Sequence, residues 1–328
     1  MYKRQVHGYG WEVLSRYREI VGIRRQLKTR LLLQRPDLFI GVDAPDFNLG
    51  LEAALKANGV KTVHFVCPSV WAWRAERLNA IRRSVDHVLC LFPFEPTLLA
   101  RHGIAATYVG HPLAQVIPLQ PDRAAARASL GLRQDAQVLA LLPGSRQSEI
   151  AHLALRFFQT AALVRQAEPA MQFVVPAVPA LKTSIEQAAR DSGMASHVTI
   201  VPGQSHAALA ACDLTLIASG TATLEAALFK RPMVIAYHMS NWSWQIMRRK
   251  KLQPWVGLPN ILCQDFVVPE LLQQAATPRA LADAVLAGLA AKPAQAADLQ
   301  QRFTELHLQL RQDTPTIAAH AIEKILQA

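Results

Sequence analysis

The stretch Leu214-Thr-Leu-Ile-Ala-Ser-Gly-Thr-Ala-Thr-Leu-Glu-Ala-Ala-Leu228 reads as a short buried strand, a turn of small residues and the opening of a helix. Gly220 lets backbone approach a ligand closely. Ser219, Thr221 and Thr223 carry hydroxyls, Ala222 adds no bulk, and the free N–H groups of the helix start favour an anion such as a diphosphate. Glu225 lies four residues after Thr221, about one turn deeper on the same face, where a carboxylate suits ribose hydroxyls. An N-capped core helix whose glutamate faces water uses the same residues.

The pattern repeats outward. Apolar runs at Gln137–Leu142, Gln172–Val175, His197–Val201, Leu214–Ile217 and Met233–Ala236 alternate with amphipathic stretches, as in a parallel sheet covered by helices. An earlier set, Asp37–Val42, Thr62–Val66, Asp86–Leu91 and Ala106–Val109, alternates with helical segments such as Leu51–Ala57 and Ala75–Arg83. The expected fold is therefore α/β, with two Rossmann-like domains facing a cleft. The Gly110-His-Pro-Leu turn and Pro118–Asp122 mark the boundary, giving domains 1–115 and 116–300 and C-terminal helices over 301–328. Pro278–Ala291 with Thr277 as N-cap, Ala294–Leu310 and Thr316–Gln327 read as helices with no strand after them. The first domain opens on a basic helix, Trp11–Gln34, where a doubly wound domain opens on a strand and a glycine-rich turn. Its first βα unit is expected to be absent, and loss of a central strand predicts a gap through the sheet.

At 328 residues the chain exceeds one ordinary core, and its formal charge of +11 favours a phosphate-rich partner. No apolar run is long enough for a spanning helix, and Met1–Gly8 has no secretory pattern, so the cytoplasm is the expected compartment. Cys67, Cys90, Cys212 and Cys263 are scattered, without a C-x-x-C pair or zinc spacing, and read as buried thiols.

Four further segments carry candidate chemistry. In Leu141-Leu-Pro-Gly-Ser-Arg-Gln-Ser-Glu149, Gly144 and Ser145 make a phosphate-type turn and Arg146 offers a planar donor fork for a diphosphate, although it also reads as an exposed helix-start arginine. Gly41-Val-Asp-Ala-Pro-Asp-Phe-Asn48 follows a strand, which brings Asp43 to the sheet's carboxyl edge as a candidate general base, while Asp46 with Asn48 reads as a helix cap. Cys67-Pro-Ser-Val-Trp-Ala-Trp-Arg74 presents Ser69, Trp71, Trp73 and Arg74 to a sugar or acyl chain, or packs its indoles into the core. Basic residues gather at Arg16, Arg18, Arg24, Arg25, Lys28 and Arg30, and at Arg248-Arg-Lys-Lys251 near Trp242, Trp244 and Trp255. Interleaved aromatic and basic residues suit an anionic membrane surface, or simply a solvated face; nucleic acid is not expected, since no RNA-binding motif accompanies them.

Together these blocks resemble the lipid-A-disaccharide synthases, inverting bacterial glycosyltransferases of GT-B type. The resemblance runs from about Gly8 to the C-terminus. It rests on Gly41–Asn48, Pro68–Arg74, Gly110-His-Pro112, Leu141–Arg146, Ala218–Glu225 and Leu258-Pro-Asn260 in that order. It implies transfer of 2,3-diacylglucosamine from UDP-2,3-diacylglucosamine to 2,3-diacylglucosamine 1-phosphate, giving the β-1,6 disaccharide 1-phosphate of lipid A biosynthesis and UDP. By the same resemblance Asp43 is the base, Arg146 meets the donor diphosphate, and His111 and Asn260 belong to the substrate site. No metal or cofactor is implied. The expected setting is peripheral, on the cytoplasmic face of the inner membrane, with a homodimer as the implied assembly. The family's Gly-Glu-x-Ser-Gly-Asp turn has no counterpart here. Competing readings are a hydrolysing UDP-N-acetylglucosamine 2-epimerase on the same fold and a non-catalytic UDP-binding fragment.

Overall fold

The computed structural model describes residues 17–72, 75–239, 244–245 and 252–327. The chain divides into two compact units, Met1–His111 with Gln312–Ala328, and Pro112–Arg311.

The first unit runs α1 (Tyr17–Gln34), β1 (Leu38–Val42), α2 (Pro45–Lys56), β2 (Lys61–Phe65), α3 (Leu78–Ser84), β3 (His87–Cys90), α4 (Glu95–Ala100) and β4 (Ala106–Tyr108). Its four strands are parallel and pair in chain order, β1-β2-β3-β4. Side chains alternate across the pleat. Val88 and Cys90 pack with Leu78, Ile81 and Leu99 on one face, whereas Leu89 packs with Val63 and Val109 on the other. The gap expected in this sheet is not found. The four strands are contiguous, because each crossover returns to the same side of the growing sheet, and β1 forms an edge with Ile40 and Val42 exposed.

The second unit runs α5 (Pro112–Val116), α6 (Arg123–Ser129), β5 (Val138–Leu142), α7 (Gln147–Ala167), β6 (Gln172–Ala177), α8 (Lys182–Asp191), β7 (Val198–Pro202), α9 (Ser205–Ala211), β8 (Leu214–Ala218), α10 (Thr221–Leu228), β9 (Met233–Tyr237), α11 (Leu258–Cys263), β10 (Glu270–Leu272), α12 (Pro278–Leu289) and α13 (Pro293–Leu310). The parallel strands lie in the order β10-β9-β8-β5-β6-β7. Every residue of β5 and β8 is buried, which is why both read as uninterrupted apolar runs. Thr277 caps α12 as expected, its Oγ1 accepting from the Ala280 N–H at 3.2 Å. β10 was not anticipated: it is three residues long and its only charged residue, Glu270, is committed to local hydrogen bonds.

α14 (Thr314–Gln327) belongs to the first unit. Its Ile317, Ala318, Ala321, Ile322 and Ile325 recur at helical spacing and cover the face of the first sheet that carries Val63 and Leu89. The C-terminal helices expected as one block over 301–328 are therefore split between the units after Arg311, and the first boundary falls at His111 rather than at residue 115.

Arg127 ties the start of the second sheet together. It is buried, and it donates to the carbonyls of Ala211 (3.0 Å), Gln134 (2.7 Å) and Ala136 (2.9 Å) and to Asp213 Oδ2 (2.8 Å). Asp213 Oδ2 also accepts from the Val138 N–H at 2.7 Å, so one ion pair anchors the first residues of β5 and β8. No described helix is long and apolar enough to cross a membrane.

Candidate active site

In the second sheet, chain order runs outward from β5 through β6 and β7 on one side and from β8 through β9 and β10 on the other. The point where that order reverses lies between β5 and β8, and in open α/β sheets ligands bind beyond the strand ends at such a point. The two turns singled out in the sequence, Gly144-Ser-Arg146 after β5 and Ser219–Thr223 after β8, both sit there.

The turn after β5 is held by Glu149 in the first turn of α7. Its Oε2 accepts the N–H groups of Ser145 (2.8 Å) and Arg146 (3.3 Å), and its Oε1 accepts from the Arg146 guanidinium at 3.0 Å. The cation at the helix start, unfavourable to the dipole, is thereby matched by a carboxylate. Both Ser145 and Arg146 are exposed. Gly144 has φ 129°, and a Cβ there would lie 2.5 Å from Glu149 Cβ and 2.6 Å from its Oε2. Gly144→Ala is therefore expected to cost about 1–3 kcal/mol and to push Glu149 off the turn. Urea unfolding checks this, and an unchanged midpoint would refute it.

The turn after β8 is less open than its composition suggests. Ser219 Oγ donates to the Val256 carbonyl at 3.1 Å, and Thr223 is buried with its hydroxyl on the Gly220 carbonyl at 2.7 Å. Gly220 and Thr221 are exposed and Ala222 is half-buried, leaving the helix-start N–H groups and the Thr221 hydroxyl as the accessible donors. Glu225 neither faces bulk water nor stands alone. Its Oε2 pairs with His206 Nε2 at 3.2 Å, and burial raises its pKa against the lowering effect of His206. His206, on α9, packs edgewise on Phe229 with ring centroids 5.3 Å apart.

Asn260 is fully buried and internally satisfied. Its Nδ2 donates to the Val268 carbonyl (2.9 Å) and Glu270 Oε1 (2.8 Å), and its Oδ1 accepts from the Val267 and Val268 N–H groups (2.9 Å each). Glu270 also accepts from Val256 and Gly257 N–H. The amide therefore fixes the path of the 256–268 segment, including the Val256 carbonyl that holds Ser219, rather than pointing at a ligand.

In the first unit, the C-terminal ends of β1 and β2 carry Asp43 (φ 50°), Ala44 (φ 44°) and Val66 (φ 80°), all in the left-handed region without being glycine. Such strain, on the order of 1–3 kcal/mol per residue, persists where surrounding structure enforces it and clusters at functional sites. Asp43 is held by its backbone: its N–H donates to the Phe65 carbonyl at 2.8 Å and its carbonyl accepts from Asn48 Nδ2 at 2.8 Å. Its exposed carboxylate makes no hydrogen bond or ion pair among the described residues. The cap expected from Asp46 and Asn48 is absent. Ala44 occupies the cap position of α2 with no side-chain bond, Asp46 pairs with Arg77, and Asn48 braces the Asp43 turn from below.

Within the aromatic block, Trp71 turns toward the core. Trp71 is buried, with its Nε1 donating to Glu95 Oε1 at 2.9 Å and its ring edge-on to Phe92 (6.0 Å) and Phe94 (5.4 Å). Ser69 is exposed. Trp73 and Arg74 lie outside the described residues, as do Arg16, Trp242 and Arg248–Lys251. His111 is buried beside Phe92, centroids 5.8 Å apart, and loss of solvent pushes its pKa down to about 4, so it is neutral at physiological pH.

Sequence reasoning missed Glu95, Glu149, His206 and Glu270. Glu149 had a signal, three residues after Arg146 at a helix start. The other three act across long sequence separations.

The family model for lipid-A-disaccharide synthetase matches residues 1–322. The lipid-A-disaccharide synthase of Albidiferax ferrireducens is 74% identical over 99% of this chain and 84% of its own length. That of Verminephrobacter eiseniae is 67% identical over 98% of this chain and 83% of its own. Among solved structures, S. aureus MnaA with UDP superposes with TM-score 0.65 at 11% identity, over 93% of this chain and 80% of that one. The UDP-GlcNAc 2-epimerase of Neisseria meningitidis, bound to UDP-GlcNAc, gives 0.60 at 10% identity, over 94% and 81%. A Burkholderia multivorans trehalose 6-phosphate synthase gives 0.60 at 13%, over 95% and 75%. The last three likenesses establish the shared two-unit α/β fold of GT-B glycosyltransferases and epimerases. The whole-length family match and the high identities decide among the proteins that share it: this chain belongs to the lipid-A-disaccharide synthetase family.

Proposed function

We propose that the chain transfers 2,3-diacylglucosamine from its UDP derivative to the 6-hydroxyl of 2,3-diacylglucosamine 1-phosphate, releasing UDP. The carrying observation is the family match over residues 1–322, joined to a pair of phosphate-type turns at the switch point of the second sheet. In this reading Asp43 removes the acceptor proton as the bond forms. The diphosphate leaves toward Arg146 and the N-terminus of α10, whose positive charge offsets the charge that develops. Arg146 exchanges Glu149 for the phosphate as the donor binds, and Glu225, steadied by His206, meets the ribose. Exposed Arg18, Arg25, Lys28 and Arg30 on α1, with Leu33 81% exposed, suit a peripheral stance on the anionic inner face of the membrane. A homodimer is the accompanying proposal for assembly.

The test is turnover of UDP-diacylglucosamine with its acyl-sugar phosphate acceptor, run beside UDP-N-acetylglucosamine alone. Disaccharide formation supports the proposal, whereas 2-epimerisation of the water-soluble nucleotide would replace it. Arg146→Ala is expected to lower turnover by about two to three orders of magnitude, the range seen when one preorganised charge-stabilising donor is lost. Equal rates in the variant would remove Arg146 from the mechanism.

A further inference from the structure

Cys67 and Cys90 are distant in sequence, yet the parallel pairing of β2 and β3 brings the ends of both strands together. Cys90 is the last residue of β3 and Cys67 lies just beyond β2. Both thiols are buried, and so is Glu95, the first residue of α4. The two sulfurs and a Glu95 carboxylate oxygen all lie within 4.8 Å of one another.

We propose that Cys67, Cys90 and Glu95 form a binding site for a thiophilic divalent cation of the zinc or cadmium class. In a tetrahedral centre, metal–sulfur bonds of about 2.3 Å and metal–oxygen bonds of about 2.1 Å put ligand atoms roughly 3.5–3.8 Å apart, so closure needs only small side-chain movements. Two thiolates and one carboxylate match a borderline-soft ion and reject calcium and magnesium, which take oxygen ligands. The donors come from three separate, packed elements, and Cys67, Val70, Leu78, Ile81, Cys90 and Leu99 share one core cluster that fixes their backbone.

Glu95 supplies the second argument. Its Oε1 accepts from Trp71 Nε1 and its Oε2 from the Phe92 N–H at 3.0 Å, but no cationic side chain pairs with it among the described residues. The carboxylate also accepts from the Leu91 N–H and the Cys67 S–H, and loss of the Cys67 proton on metal binding frees the acceptor site which that proton occupies. A buried carboxylate without a counter-cation is costly, and a bound cation would offset that cost. The site belongs to no step of the transfer chemistry. Through the Trp71–Glu95 bond, its occupancy bears on how firmly the Pro68–Trp71 segment is held.

The experiment is titration of the full chain with Cd²⁺, read by thiolate-to-cadmium charge-transfer absorption and by tryptophan fluorescence, with Zn²⁺ as competitor. One equivalent per chain is expected. C67S and C90S should abolish the band, C263S should leave it unchanged, and E95Q should weaken binding by at least the roughly tenfold that even an outer-shell loss costs. The cadmium NMR shift of the unaltered protein, which separates two-sulfur from one-sulfur coordination, decides the matter should either serine variant fail to fold. Absence of the band, its persistence in C67S, its dependence on Cys263, or a one-sulfur shift would each overturn the proposal. The two cysteines would then be buried core thiols, Cys67 bonded to the Pro68 carbonyl and Cys90 to the Val88 carbonyl.

Discussion

Asp43→Asn is expected to lower disaccharide formation by about two to four orders of magnitude, the contribution usual for a positioned general base. UDP affinity and the melting temperature should stay unchanged. The separation follows from how the residue is held. The backbone of Asp43 is engaged on both sides, by the Phe65 carbonyl and by Asn48 Nδ2, whereas its exposed carboxylate has no partner among the described residues. Asparagine tolerates the left-handed conformation at φ 50° as well as aspartate does, so the turn survives the change. The turns proposed to hold the nucleotide lie in the other unit, after β5 and β8. Calorimetry with UDP, a melting curve and the coupled turnover assay together make the measurement. Full turnover in the asparagine variant would exclude Asp43 as the base, and an unfolded variant would mean that the carboxylate has a structural partner.

The second large effect is on stability. Arg127→Ala is expected to cost about 3–5 kcal/mol, the penalty for breaking a buried charge pair by removing one partner. The carbonyls of Ala211, Gln134 and Ala136 lose their donor, and Asp213 is left with Arg123 and the Val138 N–H. Because the same carboxylate holds the first residue of β5 and sits just ahead of β8, the loss falls on the two central strands. Arg127→Lys should rescue little of it, since a single ammonium cannot reproduce a planar fork that reaches Ala211 through Nε and Asp213 through Nη2. Urea unfolding monitored by circular dichroism gives the number. A loss below about 1 kcal/mol would show that the surrounding carbonyls find water instead.

What the sequence reached was whatever depends on neighbours along the chain. The nine strands read from it are all present, with ends displaced by a residue or two, because an apolar run between helical periods is a local signal. The two phosphate-type turns were legible for the same reason, since a strand, a small-residue turn and a helix start are consecutive residues. β10 escaped because three residues around a glutamate carry no such signal, and the Asp46 cap failed because α2 starts at Pro45, which puts Ala44 at the cap and Asp46 inside the first turn, where it pairs with Arg77.

The sequence by itself therefore determined the α/β class, the family and the two strand–turn–helix segments after β5 and β8. Tertiary structure alone decided how candidate polar groups are engaged. It turned Trp71 inward onto Glu95, made Asn260 a brace for its own loop, gave Glu225 to His206, and brought Cys67 to Cys90. It also sent α14 back to the first sheet and closed that sheet without a gap. The physical reason is common to all of these. Backbone periodicity is set by adjacent residues, whereas a buried polar group takes whichever partner packing brings within about 3 Å, and that partner is usually remote in sequence.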